Sequence, residues 1–411
     1  MQGAQDGSGR TDSRRPGRRR LSPASDVSWP TAAADAARIR PQRRRAHGHL
    51  GDGPDVGTGT ICAPDPSKYD VPGNNCDDDN DGKIDNLTTC DDGVAGSTAE
   101  EFARAIGICT NASEKGYGLV AAVYTQGYGR SDPPMEQQHG VLSKFGAVVK
   151  PREGTRLGVL SSGYAREYDG LGTEPFGGAV ANGLTLLLNG VDWHGAANGN
   201  VGNGSAPPGF PKTTSGCKQN KDVNDVIDLK LQLKAPPNAT GFKFDFNFYS
   251  GEWPVYICST SNDGFIAYLN AQGFNGGKPG NVSVDKNNNP ISVNAQFFDR
   301  CTPNAPVACA ESDAGQTAQC AGTAAELGGT GFGVDGAWCN VPFFHSPSPV
   351  HSTNGGATGW LTSQASITPG ETFTLEFMIW DAGDGSLDSS VLLDSFTWIS
   401  GEVTTATDRP K

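Results

Sequence analysis

The sequence predicts an all-β fold: a jelly-roll-like two-sheet β-sandwich with one short helix, disulfide-stapled loops and a disordered N-terminal tail. Short apolar or alternating runs recur from residue 118 to residue 399, separated by clusters of Gly, Asn, Pro and Asp. The 411 residues include 56 glycines and 27 prolines but only 3 methionines, which is typical of loop-rich β proteins. Alternating strand and helix patterns do not occur, which argues against a parallel α/β sheet.

Residues 1–57 are predicted to form the arginine-rich, disordered tail. Residues 1–50 contain eleven arginines and four aspartates, a balance of +7, so the remaining residues carry −20 of a total of −13. The tail is either a disordered extension or sequence translated ahead of the true start, since it contains no apolar run for a signal peptide. No nucleic-acid partner is expected, because the acidic body of the protein repels nucleic acid.

Residues 58–93 form a cysteine-rich segment that is predicted to bind calcium. A calcium loop needs oxygen ligands at positions 1, 3, 5, 7 and 9, which here are Asp77, Asp79, Asp81, the carbonyl of Lys83, and Asp85. Gly82 at position 6 allows the sharp turn, whereas Thr88 replaces the glutamate that an EF-hand has at position 12. The loop, flanked by Cys76 and Cys90, resembles the short calcium repeats of thrombospondin type 3. The alternative is a solvated acidic linker.

The ten cysteines indicate an exported protein with several disulfides. They are even in number and make no C-x-x-C pair, so neither a zinc ribbon nor a thioredoxin-type site is supported. Proximity suggests Cys76 with Cys90 and Cys320 with Cys339, although spacing alone does not fix the connectivity. No stretch of about 20 apolar residues occurs, so the chain is not expected to span a membrane. We expect an extracellular or outer-cell-surface location.

One helix is predicted over residues 99–109, where Ser97 and Glu100 form a capping box and one face is apolar. The strands predicted after it are residues 118–124, 140–149, 156–161, 184–188, 226–233, 241–249, 264–269, 373–380 and 391–399. The clearest is 241–249, in which four phenylalanines alternate with polar residues. Its aromatic face is expected to lie in the core.

Several motifs resemble the choice-of-anchor L domain of bacterial surface proteins. They are residues 138–142 (QHGVL), 157–163 (LGVLSSG), 242–254 (FKFDFNFYSGEWP), 261–265 (SNDGF), 355–361 (GGATGWL), 379–384 (IWDAGD) and 387–389 (LDS). They follow the order of the family and place the domain at residues 95–400, leaving residues 401–411 as a tail. The resemblance implies an exported, tethered module of Gram-negative bacteria without a general catalytic activity or cofactor.

Two acidic groups in the predicted sandwich are candidates for a second calcium site. The first consists of Glu252, Asn262 and Asp263, and the second of Asp381, Asp384, Asp388 and Asp394. If their loops meet at one end of the sandwich, they offer the oxygen ligands that a hard cation needs. The alternative is that they are turn and capping residues.

No enzymatic activity is predicted, because the sequence has neither a G-x-S-x-G elbow nor an H-E-x-x-H motif. A glycosidase pair such as Glu252 with Glu376 would need a separation of about 5 to 9 Å. We expect a non-catalytic, calcium-stabilised module that mediates adhesion or surface assembly with a glycan or protein partner. The alternative is a carbohydrate-binding module in which exposed aromatic side chains stack on sugar rings, the candidates being Trp193, Tyr249, Trp253 and Tyr256.

Overall fold

The structure is a computed structural model, and it describes residues 62–166, 204–301, 324–332 and 355–410. Within these ranges, residues 87, 213, 215, 254–255, 295–296, 331, 384 and 386–387 are not described. The predicted tail of residues 1–57, the predicted strand 184–188, Trp193, Cys320, Cys339 and Asp384 therefore lie outside the described residues.

The described residues form two short helices and thirteen strands. In chain order they are α1 (Ala99–Ala105), α2 (Ala112–Lys115), β1 (Gly118–Thr125), β2 (His139–Leu142), β3 (Leu157–Ser161), β4 (Val223–Lys234), β5 (Gly241–Ser250), β6 (Gly264–Asn270), β7 (Gly280–Asn281), β8 (Ile291–Ser292), β9 (Gly356–Ala357), β10 (Leu361–Ser366), β11 (Thr372–Ala382), β12 (Ser389–Ile399) and β13 (Ala406–Asp408). No helix in this part of the chain is long and apolar enough to cross a bilayer.

The strands form two antiparallel sheets. The first has the order β1-β4-β11-β6-β7, with β8 also paired to β6, and the second has the order β13-β10-β5-β12-β3-β2, with β9 also paired to β5. Neighbouring strands are mostly distant in sequence, as where β5 lies between β10 and β12. This arrangement confirms the predicted all-β sandwich.

The aromatic face of β5 forms the centre of the core, as its alternation predicts. Phe242, Phe244, Phe246 and Phe248 are all at most 1% exposed. Three of these rings contact rings of the first sheet, with centroid separations of 5.6 Å for Phe242–Phe373, 4.9 Å for Phe244–Phe377 and 5.0 Å for Phe246–Phe265. Because burying one such side chain contributes about 1.5 to 3 kcal/mol, this row is a major part of the stability.

The first helix begins at Ala99, as predicted, but its N-cap residue is Thr98 instead of the predicted Ser97. The side chain of Thr98, rather than that of Ser97, accepts the N–H of Glu101 at 3.2 Å. The Glu101 carboxylate in turn accepts the N–H and the O–H of Ser97, both at 2.9 Å. The predicted capping pair of Ser97 with Glu100 is therefore wrong, because the cap is Thr98 and the acid is Glu101. As in a capping box, the acid does accept a backbone N–H just before the helix.

Two predicted elements end earlier than expected. The helix ends at Ala105 instead of residue 109, because the chain reverses at Gly107, whose φ is +99°. The predicted strand 140–149 ends at Leu142, because a turn with Gly146 at φ +63° brings Phe145 and Val149 into backbone contact. In both places a glycine adopts the left-handed region that other residues rarely occupy.

The C-terminal segment that was predicted to be a tail contributes a strand. Thr362, Ser363 and Gln364 of β10 pair with Asp408, Thr407 and Ala406 of β13. The buried Thr407 hydroxyl also lies 2.7 Å from that of Ser363. The sandwich therefore extends beyond residue 400.

The predicted disulfide between Cys76 and Cys90 is wrong. Cys76 is bonded to Cys62 inside the predicted calcium segment, whereas Cys90 is bonded to Cys109 and so connects the segment to the residues that follow α1. A third bond joins Cys217 to Cys258. Proximity in sequence gave the wrong partners for Cys76 and Cys90 because it ignores where the helix places Cys109, and the suggested pair Cys320–Cys339 lies outside the described residues.

Two buried carboxylates, those of Asp91 and Asp394, hold the loop of residues 150–156. Asp394 accepts the N–H of Arg152 at 2.6 Å and that of Glu153 at 3.4 Å. Asp91 accepts the N–H groups of Thr155 and Arg156 at 2.5 and 2.6 Å. Burial raises the pKa of Asp394 to about 7, although the backbone donors act in the opposite direction.

This pKa predicts a pH dependence of stability. An unfolded aspartate titrates near pH 4, so between about pH 4 and pH 7 the folded chain holds a proton that the unfolded chain has lost. The free energy of unfolding should therefore fall as the pH rises through this window, by at most about 1.4 kcal/mol per pH unit. Urea denaturation at several pH values should show a shallower slope for Asp394→Asn than for the natural chain. The exposed Asp408→Asn is the control; equal slopes in all three chains would contradict the prediction.

Candidate metal centre

The acidic loop brings three of its five predicted ligands together. Carboxylate oxygens of Asp77, Asp79 and Asp81 lie within 4.8 Å of one another. In the described part of the chain this is the one group of three or more acidic, histidine or cysteine side chains that meets this criterion. Three convergent carboxylates form an oxygen-only donor set, which suits a hard divalent cation.

The loop backbone turns as the glycine predicts. Gly82 has a φ of +89° with open space around it, and Asn80 also has a positive φ of +59°. Asp77 accepts the N–H of Asp81 and that of Gly82, both at 3.0 Å. These bonds fix the first carboxylate of the series over the turn, where the other two converge with it.

The remaining two predicted ligands stand apart from this group. The side chain of Lys83 is exposed and lies 4.0 Å from Asp81, so its predicted contribution through the backbone carbonyl would not involve the ammonium. Asp85 accepts the N–H groups of Asn74 and Asn75 at 3.1 Å and thereby closes the preceding turn. In the structure Asp85 therefore binds backbone N–H groups, although the spacing predicts that it is a calcium ligand.

Asp70 is a residue of this centre that the spacing did not identify. It is 4% exposed, and it accepts the N–H of Asp78 at 3.1 Å and that of Asn86 at 2.6 Å. It therefore fastens both ends of the acidic loop. In the sequence, Asp70 is simply one more aspartate in an acidic segment. Its position does not tell an aspartate that binds backbone N–H groups from one that is exposed to solvent.

The carboxylates of the loop repel one another. The pKa of Asp79 is raised, first by burial and then by the charges of Asp81 and Asp70, while the N–H of Asp81 partly offsets this. Two or three carboxylates in one place cost free energy unless a proton or a cation compensates them. Asp77, Asp79 and Asp81 are therefore a group that could hold a metal ion.

Several contacts fasten this segment to the sandwich. Asn238, in the turn between β4 and β5, accepts the N–H of Tyr69 at 3.1 Å and donates to its carbonyl at 2.8 Å. On the other side, Arg104 of α1 donates to the carbonyl of Cys90 at 3.1 and 2.9 Å. A small cleft of about 60 Å³ remains between segment and sandwich, lined in part by Asp70, Asp79 and Tyr117.

The candidate residues for a second site lie buried where β5 and β11 end and β6 and β12 begin. Those described are Glu252, Asn262, Asp263, Asp381 and Asp388, each at most 2% exposed. Asp263 connects three strand ends: it accepts the N–H of Ala382 at 3.0 Å and the hydroxyl of Ser389 at 2.7 Å, while its own N–H donates to Glu252 at 2.9 Å. The loops therefore meet at one end of the sandwich.

Electrostatics at this end favour a proton or a cation. The pKa of Asp263 is raised well above its ordinary value, mainly by burial and then by the charge of Glu252. The carboxylates do not converge as closely as those of the acidic loop, since no group containing them meets the 4.8 Å criterion among the described residues. Asp394 lies apart, in the contacts with residues 150–156.

The aromatic candidates for sugar stacking are not exposed as expected. Tyr249 is fully buried against Phe145 and Phe332, and Trp253 is 4% exposed and stacks on Phe298 at 6.2 Å. Tyr256 is half-buried. Tyr249 and Trp253 therefore pack at the ends of the core and are not available to stack on a sugar ring.

The glycosidase pair is likewise incompatible with the fold. Glu252 contacts Asp263, which accepts the N–H of Ala382 at the end of β11, whereas Glu376 lies six residues before Ala382, beside Lys230. Six strand residues span about 20 Å, well beyond the separation that such a pair requires.

The comparison with protein families covers the second half of this structure. Residues 198–397 match the family model of the choice-of-anchor L domain. No curated protein and no solved structure matches the chain. The matched residues contain β4 to β12, whereas β1 to β3 and the acidic loop precede them.

The choice-of-anchor L match indicates a surface-associated bacterial module, and the disulfides are consistent with an extracellular or cell-surface protein. It includes the buried acidic end of the sandwich but not residues 58–93, whose resemblance to thrombospondin type 3 repeats stays a prediction. The candidate metal centre is therefore an addition at the N-terminal side of the matched residues. The sandwich itself also begins earlier, since β3 pairs with β12.

The two hydrogen bonds of Asn238 predict how firmly the acidic segment is attached. Asn238→Ala removes both, and we expect a loss of about 1 to 3 kcal/mol in local stability. Limited trypsinolysis, read on reduced gels, should then cut faster after Lys68 and Lys83. The exposed Asn287→Ala is the matched control. Unchanged cleavage rates in Asn238→Ala would show that the disulfides alone hold the segment.

Proposed function

We propose that this protein is a non-catalytic, exported surface module that is stabilised by calcium and mediates adhesion or surface assembly. The observation that carries the calcium part is the convergence of Asp77, Asp79 and Asp81 in a loop that is fastened to the sandwich. The surface part follows from the choice-of-anchor L match and the disulfides.

The donor set favours calcium over other common metal ions. Zinc prefers nitrogen and sulfur ligands, and magnesium demands a compact octahedron and usually keeps several waters. A loop with three convergent carboxylates, for which the spacing also predicts the backbone carbonyl of Lys83 as a ligand, fits the six to eight oxygen ligands of calcium better. Extracellular calcium modules work at about 10⁻⁴ to 10⁻³ M, so an open, partly exposed site suffices.

Calcium would act as a structural ion. It would compensate the burial and the neighbouring charges that raise the pKa of Asp79, and it would hold the loop in the turn that Gly82 allows. Because Asp70 joins both ends of this loop and Asn238 joins the segment to the sandwich, the order imposed by the ion would extend to the rest of the protein. A second calcium ion at Glu252, Asn262, Asp263, Asp381, Asp384 and Asp388 remains part of the proposal.

Calorimetry on the calcium-free chain tests the metal centre. We expect binding of calcium by the natural protein and a loss of affinity of at least about tenfold in Asp77→Asn, Asp79→Asn or Asp81→Asn, because each removes a charged ligand. Asp92→Asn, which changes an exposed acid of the same segment, should bind as the natural chain does. At 100 times its dissociation constant, calcium should also stabilise the fold by about 2.7 kcal/mol.

The same titration separates the two candidate sites. A stoichiometry of two that falls to one in Asp263→Asn supports the second site, and a stoichiometry of one that is unaffected by this change removes it. No heat of binding in the natural chain, or equal binding by Asp79→Asn and Asp92→Asn, would contradict a calcium centre at the acidic loop.

Adhesion is tested with beads coated with the full chain. We expect clustering of the beads with each other, or attachment to bacterial cells, in calcium and not in a chelator. Asp79→Asn should weaken the effect and Asp92→Asn should not. Attachment to neither surface in calcium would contradict the proposed role. A glycan array run in parallel identifies a sugar partner, which the burial of Tyr249 and Trp253 does not favour.

A further inference from the structure

A lysine and two carboxylates meet on the outer face of the first sheet. Lys230 of β4 is directly opposite Glu376 of β11 in the strand register, and its Nζ lies 3.4 Å from the Glu376 Oε1. The side chain of Glu376 is 5% exposed and that of Lys230 is 25% exposed. The two reacting groups of an amide bond are therefore held at contact distance on neighbouring strands.

Asp228 is the third member of this group. It precedes Lys230 by two residues on β4, so both side chains leave the same face of the sheet. It is fully buried, and it accepts the hydroxyl of Thr125 at 3.1 Å. Burial and the charge of Glu376 raise its pKa well above the ordinary value, which favours the protonated acid beside the pair.

The surroundings of the group are largely apolar and aromatic. Tyr268 of β6 is the register partner of Glu376 on its other side, and it packs edge-on against Tyr128 and Phe210 at 5.5 and 6.3 Å. Met378, next to Glu376 on the same face, is fully buried. Burial also raises the pKa of Glu376, against the effect of the Lys230 charge.

A simple ion pair does not account for this arrangement. A cross-strand Lys–Glu pair contributes only about 0.2 to 1 kcal/mol, and it needs no third group. A second carboxylate in a dry site adds a desolvation cost of several kcal/mol unless it stays protonated. A protonated acid beside an amine and a carboxyl group is instead what an acid–base step requires.

We propose that Lys230 and Glu376 form a covalent amide bond that cross-links β4 to β11, with Asp228 as the group that transfers the protons. This cross-link is independent of the calcium centre and of the proposed role in adhesion. It would join two central strands of the sheet at their middle.

The reaction is a balanced condensation. In the desolvated pair the ammonium of Lys230 gives a proton to the Glu376 carboxylate, which yields a neutral amine and a carboxylic acid. The amine Nζ then attacks Cδ of Glu376, the new N–C bond forms as the C–OH bond breaks, and Asp228 gives a proton to the departing hydroxyl and receives one from the nitrogen. One water molecule is released, and no oxidant or other reactant is consumed.

Most of the acceleration of this condensation is expected from holding the two reacting groups close together, and less from activating them chemically. Groups held at about 3 to 3.5 Å can react with effective concentrations of 10⁵ M or more, roughly 7 kcal/mol of the barrier. The partial exposure of Lys230 leaves a path for the water. The Asp228 carboxyl group also interacts directly with that of Glu376, so it lies close enough to accept the N–H of the new amide.

Mass spectrometry of the full, folded chain tests the cross-link. We expect the protein to be lighter than its sequence by one water molecule, and a protease digest to contain a branched peptide that joins the peptides of Lys230 and Glu376. Lys230→Arg and Asp228→Asn should each abolish the branched peptide. Lys234→Arg, a change four residues along the same strand, should retain it.

The branched peptide, rather than the mass alone, decides the question, because an aspartate followed by glycine can lose water by forming a cyclic imide; Asp81-Gly82 and Asp263-Gly264 are such sequences. Should Lys230→Arg fail to fold, Asp228→Asn carries the test, since it changes one atom. A folded natural chain in which the Lys230 and Glu376 peptides appear separately and unmodified overturns the proposal. A branched peptide that persists in Asp228→Asn overturns the role of Asp228.

Discussion

The contact between the phenylalanine row of β5 and the facing rings of β11 and β6 is the constraint on which the rest of the structure depends. These rings lie between the two sheets, and their spacing of about two residues per ring fixes the register of β5. Because β5 also pairs with both β10 and β12, the same register positions the strand ends at which the buried acidic residues meet. A shift by one residue would move Asp245 and Asn247 into the core.

Acidic residues have two separate roles in this protein. Asp70, Asp85, Asp91 and Asp394 accept backbone N–H groups and connect loops that have no regular pairing. Asp77, Asp79 and Asp81 instead face one another, although all three also accept N–H groups of the turn. A net charge of −13 therefore reflects loop construction as well as the proposed cation binding, and composition alone could not separate the two uses.

The strands were predictable because period two is a local signal, and seven of the eight predicted strands that fall in the described residues persist with small changes of bounds. Features that depend on contacts between residues far apart in the sequence could not be predicted. Cys109 pairs with Cys90 because α1 stops at Ala105, and Trp253 is buried because residues 297–298 and 355–357 pack around it. The triad of Thr125, Asp228 and Glu376 joins three strands that are up to 251 residues apart, so no spacing rule reveals it.

The stabilising devices share one physical property: each acts where the apolar core does not reach. The acidic segment, residues 62–92, contributes few residues to the core and is held by disulfides, by carboxylate contacts and, in our proposal, by calcium. The outer face of the first sheet carries buried charges, which oppose folding unless they are neutralised. Neutralisation by a cation in one place and by an amide bond in the other would both convert an electrostatic cost into a fixed connection. Outside the cell, where chaperones do not restore an unfolded chain, such connections slow unfolding rather than merely shift its equilibrium.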